Sequence, residues 1–384
     1  MTRVLIDAAN LRVGGGVQVA ASFLDELADL VTDEVMLARF PWLSGTTVEV
    51  SPTVAADASE STGAILQWHV CDRKPLQLAR WVPTPRAPLY DVSFVVFGPE
   101  YGLARARRRI AGFADVTSVY PRPPELVAPS WRRRARGALR GMASRRLFLS
   151  AEVIVVETTA MAEHLCRRMG ITPGSVRVVS NTYNRIFDEP ERWLPPPPAA
   201  RNADGEHVLI YVARGYPHKN LDFLGKLGEA LDRSGTRVRF LVTLTDDEWK
   251  ARSNSFRIAC RNLGPLPLHA VPHAYQLATA AIFPSLLEAF SAMPVEAMRM
   301  GKPVFASDRD FVRTICGDVP LYIDPSDPIS AAETIAAALG DPEQLVMRGK
   351  AGRELAEKLP TAKDRAIAYV KLIDEQVACL ETTC

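Results

Sequence analysis

Apolar positions along this chain follow two alternating patterns: short unbroken runs, and longer stretches where they recur every three or four residues. The first reads as strands buried on both faces of a parallel sheet, the second as helices laying one face on that sheet. Residues 3–8 (RVLIDA) make the first run, and from Val17 the pattern turns helical, with Ala20, Phe23, Leu24, Leu27 and Val31 on one face. Between them Gly14, Gly15 and Gly16 stand on a strand-to-helix turn, either a plain surface turn or one whose bare backbone admits a ligand. The same word returns later in the chain. Residues 208–213 (VLIYVA) repeat a first strand, and Leu221, Leu224, Leu227 and Leu231 mark a helix that Asn220 is placed to cap.

The intervening pattern predicts strands at 64–70, 92–97 and 115–120, a short helix at 74–81 and a long one at 129–149. A strand at 152–156, a helix at 161–169 and a strand at 176–179 follow. Residues 188–206, with prolines at 195–198, cannot be helix or central strand and read as a linker. Beyond it come strands at 237–244 and 258–262 and helices at 329–339, 345–358 and 362–380.

The densest stretch is 282–308, IFPSLLEAFSAMPVEAMRMGKPVFASD. A buried strand closes at Pro284 and Ser285. A helix starts near Met293 with Ser291 as N-cap and Pro294 in the first turn, and Gly301 and Pro303 stop it before a strand at 304–307. Glu288 then lies on the loop at the strand's C-terminal edge and Glu296 in the helix's first turn, both facing the crevice where open α/β sheets bind ligands. A helix N-terminus suits a phosphate, whereas a carboxylate accepts hydrogen bonds from neutral vicinal hydroxyls. Together they imply a nucleotide carrying a sugar; singly, Glu296 only complements the helix dipole and Glu288 only caps a turn. Arg214 and Lys219, at the end of a strand and the start of a helix, are either a diphosphate grip or ordinary loop cations.

E-A-F-S-A-M-P-V-E-A-M, then G-K-P-V, then A-S-D, resembles the E-x7-E signature of the retaining glycosyltransferases of family 4. The resemblance implies an α/β chain of the GT-B fold, two Rossmann-like domains with parallel sheets facing across a cleft that holds the active site. Residues 1–187 would be the acceptor domain, 188–206 the linker and 207–361 the nucleotide-sugar domain, with helix 362–380 crossing back to the first. It also implies that Glu288 contacts hydroxyls of the donor sugar and Glu296 the ribose. R-x4-K-N is similar to the family's diphosphate grip, here Arg214 and Lys219. Gly15 and Gly16 would border the diphosphate and the acceptor, and Leu266, in LGPLP (263–267), would meet the base through its backbone. Ala289, Phe290 and Ser291 would line the donor. Ala289 and Ser291 stand where the family usually has Gly, so the backbone approach is less open and Ser291 adds a hydroxyl. Family members often carry a cleft His in the first domain; His69 and Tyr120 end candidate strands here without a secure match. The implied reaction retains configuration without a metal or cofactor: no side chain is an evident nucleophile, and attack comes from the leaving group's own side. Asp308 and Asp310 spell the D-x-D of the other glycosyltransferase fold, in the wrong architecture, and read as coincidence.

Composition narrows the classes. At 384 residues, 47% hydrophobic and 23% charged, the chain suits two soluble domains, and it has no apolar run of membrane-spanning length and no signal-peptide core at its start. Six scattered cysteines without metal-ligand spacing fit a reduced cytoplasmic protein without zinc. The net charge of +2 hides an asymmetry: residues 101–146 hold twelve Arg against Asp115 and Glu125, making that segment +10 and the rest −8. WRRRARGALRGMASRRL reads either as a helix against an anionic membrane surface or as a solvated helix of its own domain; no nucleic-acid module surrounds it. The partners expected are a nucleotide sugar and a sugar or lipid-linked saccharide acceptor, as in polysaccharide or glycolipid assembly, with peripheral membrane contact through 101–146. A nucleotide-sugar isomerase of the same fold, a phosphorylase and a non-catalytic membrane-associated subunit are the competing readings.

Overall fold

The computed structural model describes residues 2–71, 89–100, 106–121, 123, 126, 141–142, 144–195 and 205–382. The chain divides into two compact units, Met1–Pro121 with Val127–Asn181 and Pro360–Cys384, and Arg122–Leu126 with Thr182–Leu359. The first carries a seven-stranded parallel sheet of β1 (Val4–Ala8), β2 (Thr47–Val50), β3 (His69–Val70), β4 (Tyr90–Val95), β5 (Ala106–Gly112), β6 (Val153–Val156) and β7 (Val176–Val178). Its order is 3-2-1-4-5-6-7. The second carries β8 (His207–Tyr211), β9 (Val238–Val242), β10 (Cys260–Asn262), β11 (Ala280–Phe283), β12 (Val304–Ser307) and β13 (Leu321–Ile323), in the order 10-9-8-11-12-13. Winding therefore reverses beside β1 in one sheet and beside β8 in the other. Ligands of doubly wound sheets bind outside the carboxyl ends of the strands at such switch points.

The glycine turn follows β1, so it lies at the first sheet's switch point. Gly14 takes the left-handed φ of 80° and precedes the helix Gly15–Thr32, whose first two residues are Gly15 and Gly16. A Cβ on Gly15 would meet nothing within 4 Å, and one on Gly16 would touch Leu11 at 3.4 Å.

Three expected strands depart from the periodicity reading, one of them at 258–262, where Ile258 and Ala259 still belong to the helix Asn254–Ala259 and the strand is only Cys260–Asn262. Ala64–Leu66 does not begin a strand: it ends the helix Glu60–Leu66, which buries Thr62 and Leu66 on one side and stops at Gln67 with φ 47°. His69 sits on the short, exposed strand β3. The strand expected at 115–120 is instead β5, eight residues or so earlier, and Asp115 caps a one-turn helix at Val116–Val119. The arginines of β5 hid it, since their charge masks a strand pattern. Arg108 donates to Gln376 at 2.9 and 2.7 Å and Arg109 pairs with Glu152 at 3.3 Å, while Ile110 and Ala111 are buried. Part of the basic block is thereby committed inside its own unit. Of the long basic helix expected at 129–149, residues 141–142 and 144–148 are helical and 127–140 lie outside the described residues, as does the helix expected at 74–81.

The chain joins the second unit at Thr182, before the segment read as linker. Tyr183, Ile186 and Phe187 are buried in that unit's core, and Trp193 Nε1 donates to Ile186 O at 2.6 Å. Aromatic side chains, rather than the prolines, decide where residues 182–195 go. Residues 196–204 lie outside the described residues. The last helix, Ala362–Glu381, starts on a capping box of Thr361 and Asp364 and packs into the first unit. Tyr369 lies against Phe23 and Phe94, ring centroids 5.1 and 4.9 Å away, and buried Arg365 donates to Asn181 Oδ1 and to Ser22 Oγ. Among the described residues no helix is long and apolar enough to cross a membrane.

Two glycines with opposite surroundings test this account. A Cβ on Gly112 of β5 would lie 1.8 Å from the Val96 carbonyl oxygen. Gly112→Ala should therefore cost about 3 kcal/mol or more, while Gly15→Ala should leave the melting temperature unchanged or slightly raised. Thermal unfolding of the two variants checks both directions.

Candidate active site

The switch point of the second sheet is where two loops meet. The β8 loop leaves the sheet after Tyr211 and runs through a short 3-10 turn, Pro217–Lys219, into the helix Asp222–Arg233. Asn220 does not cap that helix. It takes φ 55°, and its amide nitrogen donates to Pro284 O at 3.2 Å and Pro325 O at 2.8 Å, pinning the loop to those that follow β11 and β13. Leu286 N–H donates to His218 O at 2.8 Å, and Ser307 Oγ donates to Ser285 O at 2.7 Å. Four strand ends are thus tied by backbone and short polar side chains.

The candidate side chains sit inside that brace. Lys219 Nζ reaches Glu288 Oε1 at 2.6 Å, with the two side chains 16% and 10% exposed. Ser285 Oγ, fully buried, donates to the same oxygen at 2.8 Å and lies 3.0 Å from the Tyr211 hydroxyl, which donates to Lys219 O at 3.1 Å. Burial and the nearby Glu288 charge push the Tyr211 phenol well above its usual pKa, so it stays a neutral donor. His218 Nε2 is 3.8 Å from Glu288 Oε2, and its ring stacks on Tyr216 with centroids 5.7 Å apart.

Glu296 lies beyond the first turn of its helix, Ala292–Arg299, because that helix starts one residue earlier than the pattern suggested. Ser291 precedes it without a side-chain capping bond. Tyr275 OH donates to Glu296 Oε2 at 3.0 Å. Glu296 keeps some exposed surface, yet burial raises its pKa to about 7, against the lowering effects of the Tyr275 bond and the Lys219 charge. Lys219 is therefore close enough to act on both carboxylates.

Arg214 takes a different partner. Its Nε bonds to Glu248 at 3.2 Å, and the side chain is 53% exposed. Glu248 closes a capping box with Thr245 and also accepts from Gly215 N–H at 3.1 Å. Burial opposes ionisation of Glu248, but the Thr245 and Gly215 bonds and the Arg214 charge hold its pKa below the ordinary range. Of the other expected positions, Ala289 and Phe290 are buried, Ser291 is half-buried, and Leu266 packs against the unit's core. Gly15 and Gly16 belong to the first unit. Asp308 of the D-x-D is bonded through both oxygens to Arg313, one at 2.9 Å, and is no free metal ligand.

The sequence reading missed Tyr211, Ser285, Tyr275 and Glu248. Only Glu248 left a legible signal, the T-x-x-E of a helix start at 245–248.

Against known families, residues 197–355 match the model described as Glycosyl transferases group 1. The second unit carries a glycosyl transferases group 1 domain. The chain is 29% identical over 140 residues to the O-antigen chain mannosyltransferase B of Escherichia coli, covering 34% of this chain and 36% of that one. It is 35% identical over 225 residues to the D-inositol 3-phosphate glycosyltransferase of Frankia alni, covering 51% and 54%. The matches thus span between about a third and a little over half of these relatives. Sucrose-phosphate synthase from Thermosynechococcus elongatus superposes with a TM-score of 0.69 at 17% identity, covering 99% of this chain and 100% of that one. Anabaena HepE in complex with UDP and glucose gives 0.61 at 14% identity, covering 100% of both. The fold class is GT-B, two Rossmann-like domains with parallel sheets of seven and six strands. Within the group 1 domain, the Lys219, Glu288 and Glu296 cluster occupies the switch point itself.

A carboxyl whose folded pKa exceeds its ordinary value of 4.5 makes the fold bind more protons than the unfolded chain between pH 4.5 and about 7. Stability therefore falls as pH rises through that window. Glu296→Gln, which cannot ionise, should be more stable than wild type by on the order of 2 kcal/mol at pH 8 and equal to it at pH 4. Denaturant unfolding at the two pH values measures the difference.

Proposed function

We propose that this chain is a retaining glycosyltransferase that moves a hexose from a nucleoside-diphosphate sugar to an acceptor hydroxyl. The observation that carries the reading is a nearly buried ion pair, Lys219 to Glu288, with Glu296 within reach of the same ammonium's charge, at the switch point of a group 1 domain. A cation there meets a diphosphate, and carboxylates there accept from sugar hydroxyls. Glu288 takes the donor sugar and Glu296 the ribose. Lys219 has further N–H groups beyond the one on Glu288, and Arg214 engages Glu248 through Nε only, so both can turn donors to the phosphates. Backbone around Leu266 meets the base, and Ala289, Phe290 and Ser291 line the sugar; Gly15 and Gly16 are proposed as donor-binding positions of the first domain.

As the glycosidic bond breaks, the leaving diphosphate gains charge that Arg214 and Lys219 stabilise without calling on a metal or cofactor. In this reading the acceptor hydroxyl attacks from the leaving group's side, its oxygen bonding to the anomeric carbon as the bond to the diphosphate breaks, and gives its proton to the diphosphate. The names of the relatives, a mannosyltransferase and inositol phosphate glycosyltransferases, support glycosyl transfer, and a structural neighbour holding UDP and glucose supports a nucleotide-sugar donor. The net charge of segment 101–146 favours an anionic or lipid-linked acceptor, peripheral contact with an anionic membrane from the cytoplasmic side, and a role in polysaccharide or glycolipid assembly.

The test is thermal stabilisation by UDP, GDP, ADP and dTDP and their common sugars, on wild type and Glu296→Ala. At a hundred times its dissociation constant a donor should add about 2.7 kcal/mol to wild type and much less to the variant. No stabilisation by any of them would overturn the transferase reading. With the donor in hand, Lys219→Ala and Arg214→Ala should each lower kcat by about a hundredfold or more, and unchanged turnover in either removes that residue from the diphosphate site.

A further inference from the structure

The two oxygens of Glu288 live in different surroundings. Oε1 takes both strong donors, Lys219 Nζ at 2.6 Å and Ser285 Oγ at 2.8 Å. Oε2 faces the His218 imidazole, with Nε2 3.8 Å away. That distance is too long for a direct hydrogen bond, and an oxygen bonded to both groups at about 2.9 Å would sit beside the pair rather than between them, its two bonds meeting at roughly 80°. The slot is reachable from outside, since the His218 side chain is 35% exposed while Glu288 is 10% exposed. It is also rigid: His218 stacks on Tyr216 at an interplanar angle of 8°, and its carbonyl is held by Leu286 N–H at 2.8 Å.

We infer that His218 is a specificity-determining residue whose Nε2, together with Glu288 Oε2, holds a single hydroxyl of the donor sugar. The inference rests on the glycosyltransferase reading above. In it the sugar hydroxyl donates its hydrogen to Glu288 Oε2 and accepts one from Nε2–H of a neutral imidazole. Burial, the larger influence, holds the His218 pKa below its ordinary value, although the Glu288 charge pulls the other way, so the neutral form is the one present at and above neutral pH. Sugars lacking that hydroxyl, or carrying it with the opposite configuration, leave a buried carboxylate oxygen without its donor, which is the arrangement by which enzymes reject analogues most strongly.

The experiment uses UDP-glucose and GDP-mannose with the monodeoxy analogues of whichever turns over, on wild type, His218→Phe and His218→Gln, with melting temperatures recorded for all three. In wild type, removing one particular hydroxyl should cost about tenfold to a hundredfold in kcat/KM. His218→Phe should lose part of that factor with the parent sugar and show a smaller further loss than wild type with that one deoxy analogue, since only the bond to Glu288 Oε2 is left to remove, while His218→Gln, which keeps an N–H donor, recovers part of the loss. Equal losses with the parent and with every deoxy analogue would overturn the inference and leave His218 a structural residue of the loop. So would a His218→Phe enzyme that discriminates as wild type does, which would mean that the slot holds water only. Either of those results leaves the transferase reading intact, whereas no turnover and no binding of any nucleotide sugar by wild type ends both.

Discussion

The site depends on one ion pair, Lys219 to Glu288, which is nearly buried and joins the loop after β8 to the loop after β11. Taking two charges out of water is costly, and their attraction only repays it when geometry is good and the remaining polar atoms are satisfied. The geometry is good and one oxygen is satisfied: the contact is 2.6 Å, and Ser285 supplies a second donor to Oε1, while Oε2 and the other Lys219 N–H groups are left for a ligand. Two apolar residues of the same volume would hold these loops at least as well. What an apolar pair would not provide is a cation and an anion fixed beside each other at a sheet switch point, each able to meet a different part of one ligand.

That fixing is done by groups with few torsions. Tyr211 OH spans from Lys219 O to Ser285 Oγ, Asn220 spans from its own loop to Pro284 O and Pro325 O, and Ser307 holds Ser285 O. All are short or rigid side chains at the ends of parallel strands, so little entropy stands between the free geometry and the working one. Catalysis by charge stabilisation is effective to the extent that the charges need not reorganise as the reaction proceeds. Arg214 is the exception in this brace. It is half exposed and its one anchor is Glu248, so in the transferase reading it is the member with freedom to follow a moving phosphate.

How much of this could be read from residues 1–384 depended on whether the information was local. The strand, loop, helix and strand of 280–307 were legible because Pro284, Gly301 and Pro303 punctuate them, and the repeated first strands gave two doubly wound units. The pairing of Glu288 with Lys219 was not legible, since they lie on different loops and only the sheet order 8-11 brings them together. Asn220 looked like a helix cap because caps are a local pattern, yet its amide serves two distant carbonyls and its backbone bends to φ 55° to allow it. Strand β5 was hidden for a related reason: arginines read as solvent-facing until Gln376 and Glu152, far away in sequence, are seen to receive them. Tyr211 and Tyr275 left no trace at all, because a buried aromatic in an apolar run is ordinarily just core.

The two glutamates of E-x7-E look alike in sequence and are unlike in place. Glu288 has an ammonium in contact, whereas Glu296 has a phenol, a more distant ammonium and enough burial to bring its pKa to about 7. At neutral pH Glu296 is therefore a mixture of carboxyl and carboxylate. A ligand that offers it two hydroxyl donors favours the carboxylate, and by linkage the same ligand must release a proton from this group as it binds. In the transferase reading the ribose is that ligand, so the pocket that recognises the nucleotide also senses pH, while the carboxylate proposed to take the sugar has an ammonium in direct contact. The division of labour comes from burial and neighbours, and spacing in the chain supplies only the opportunity for it.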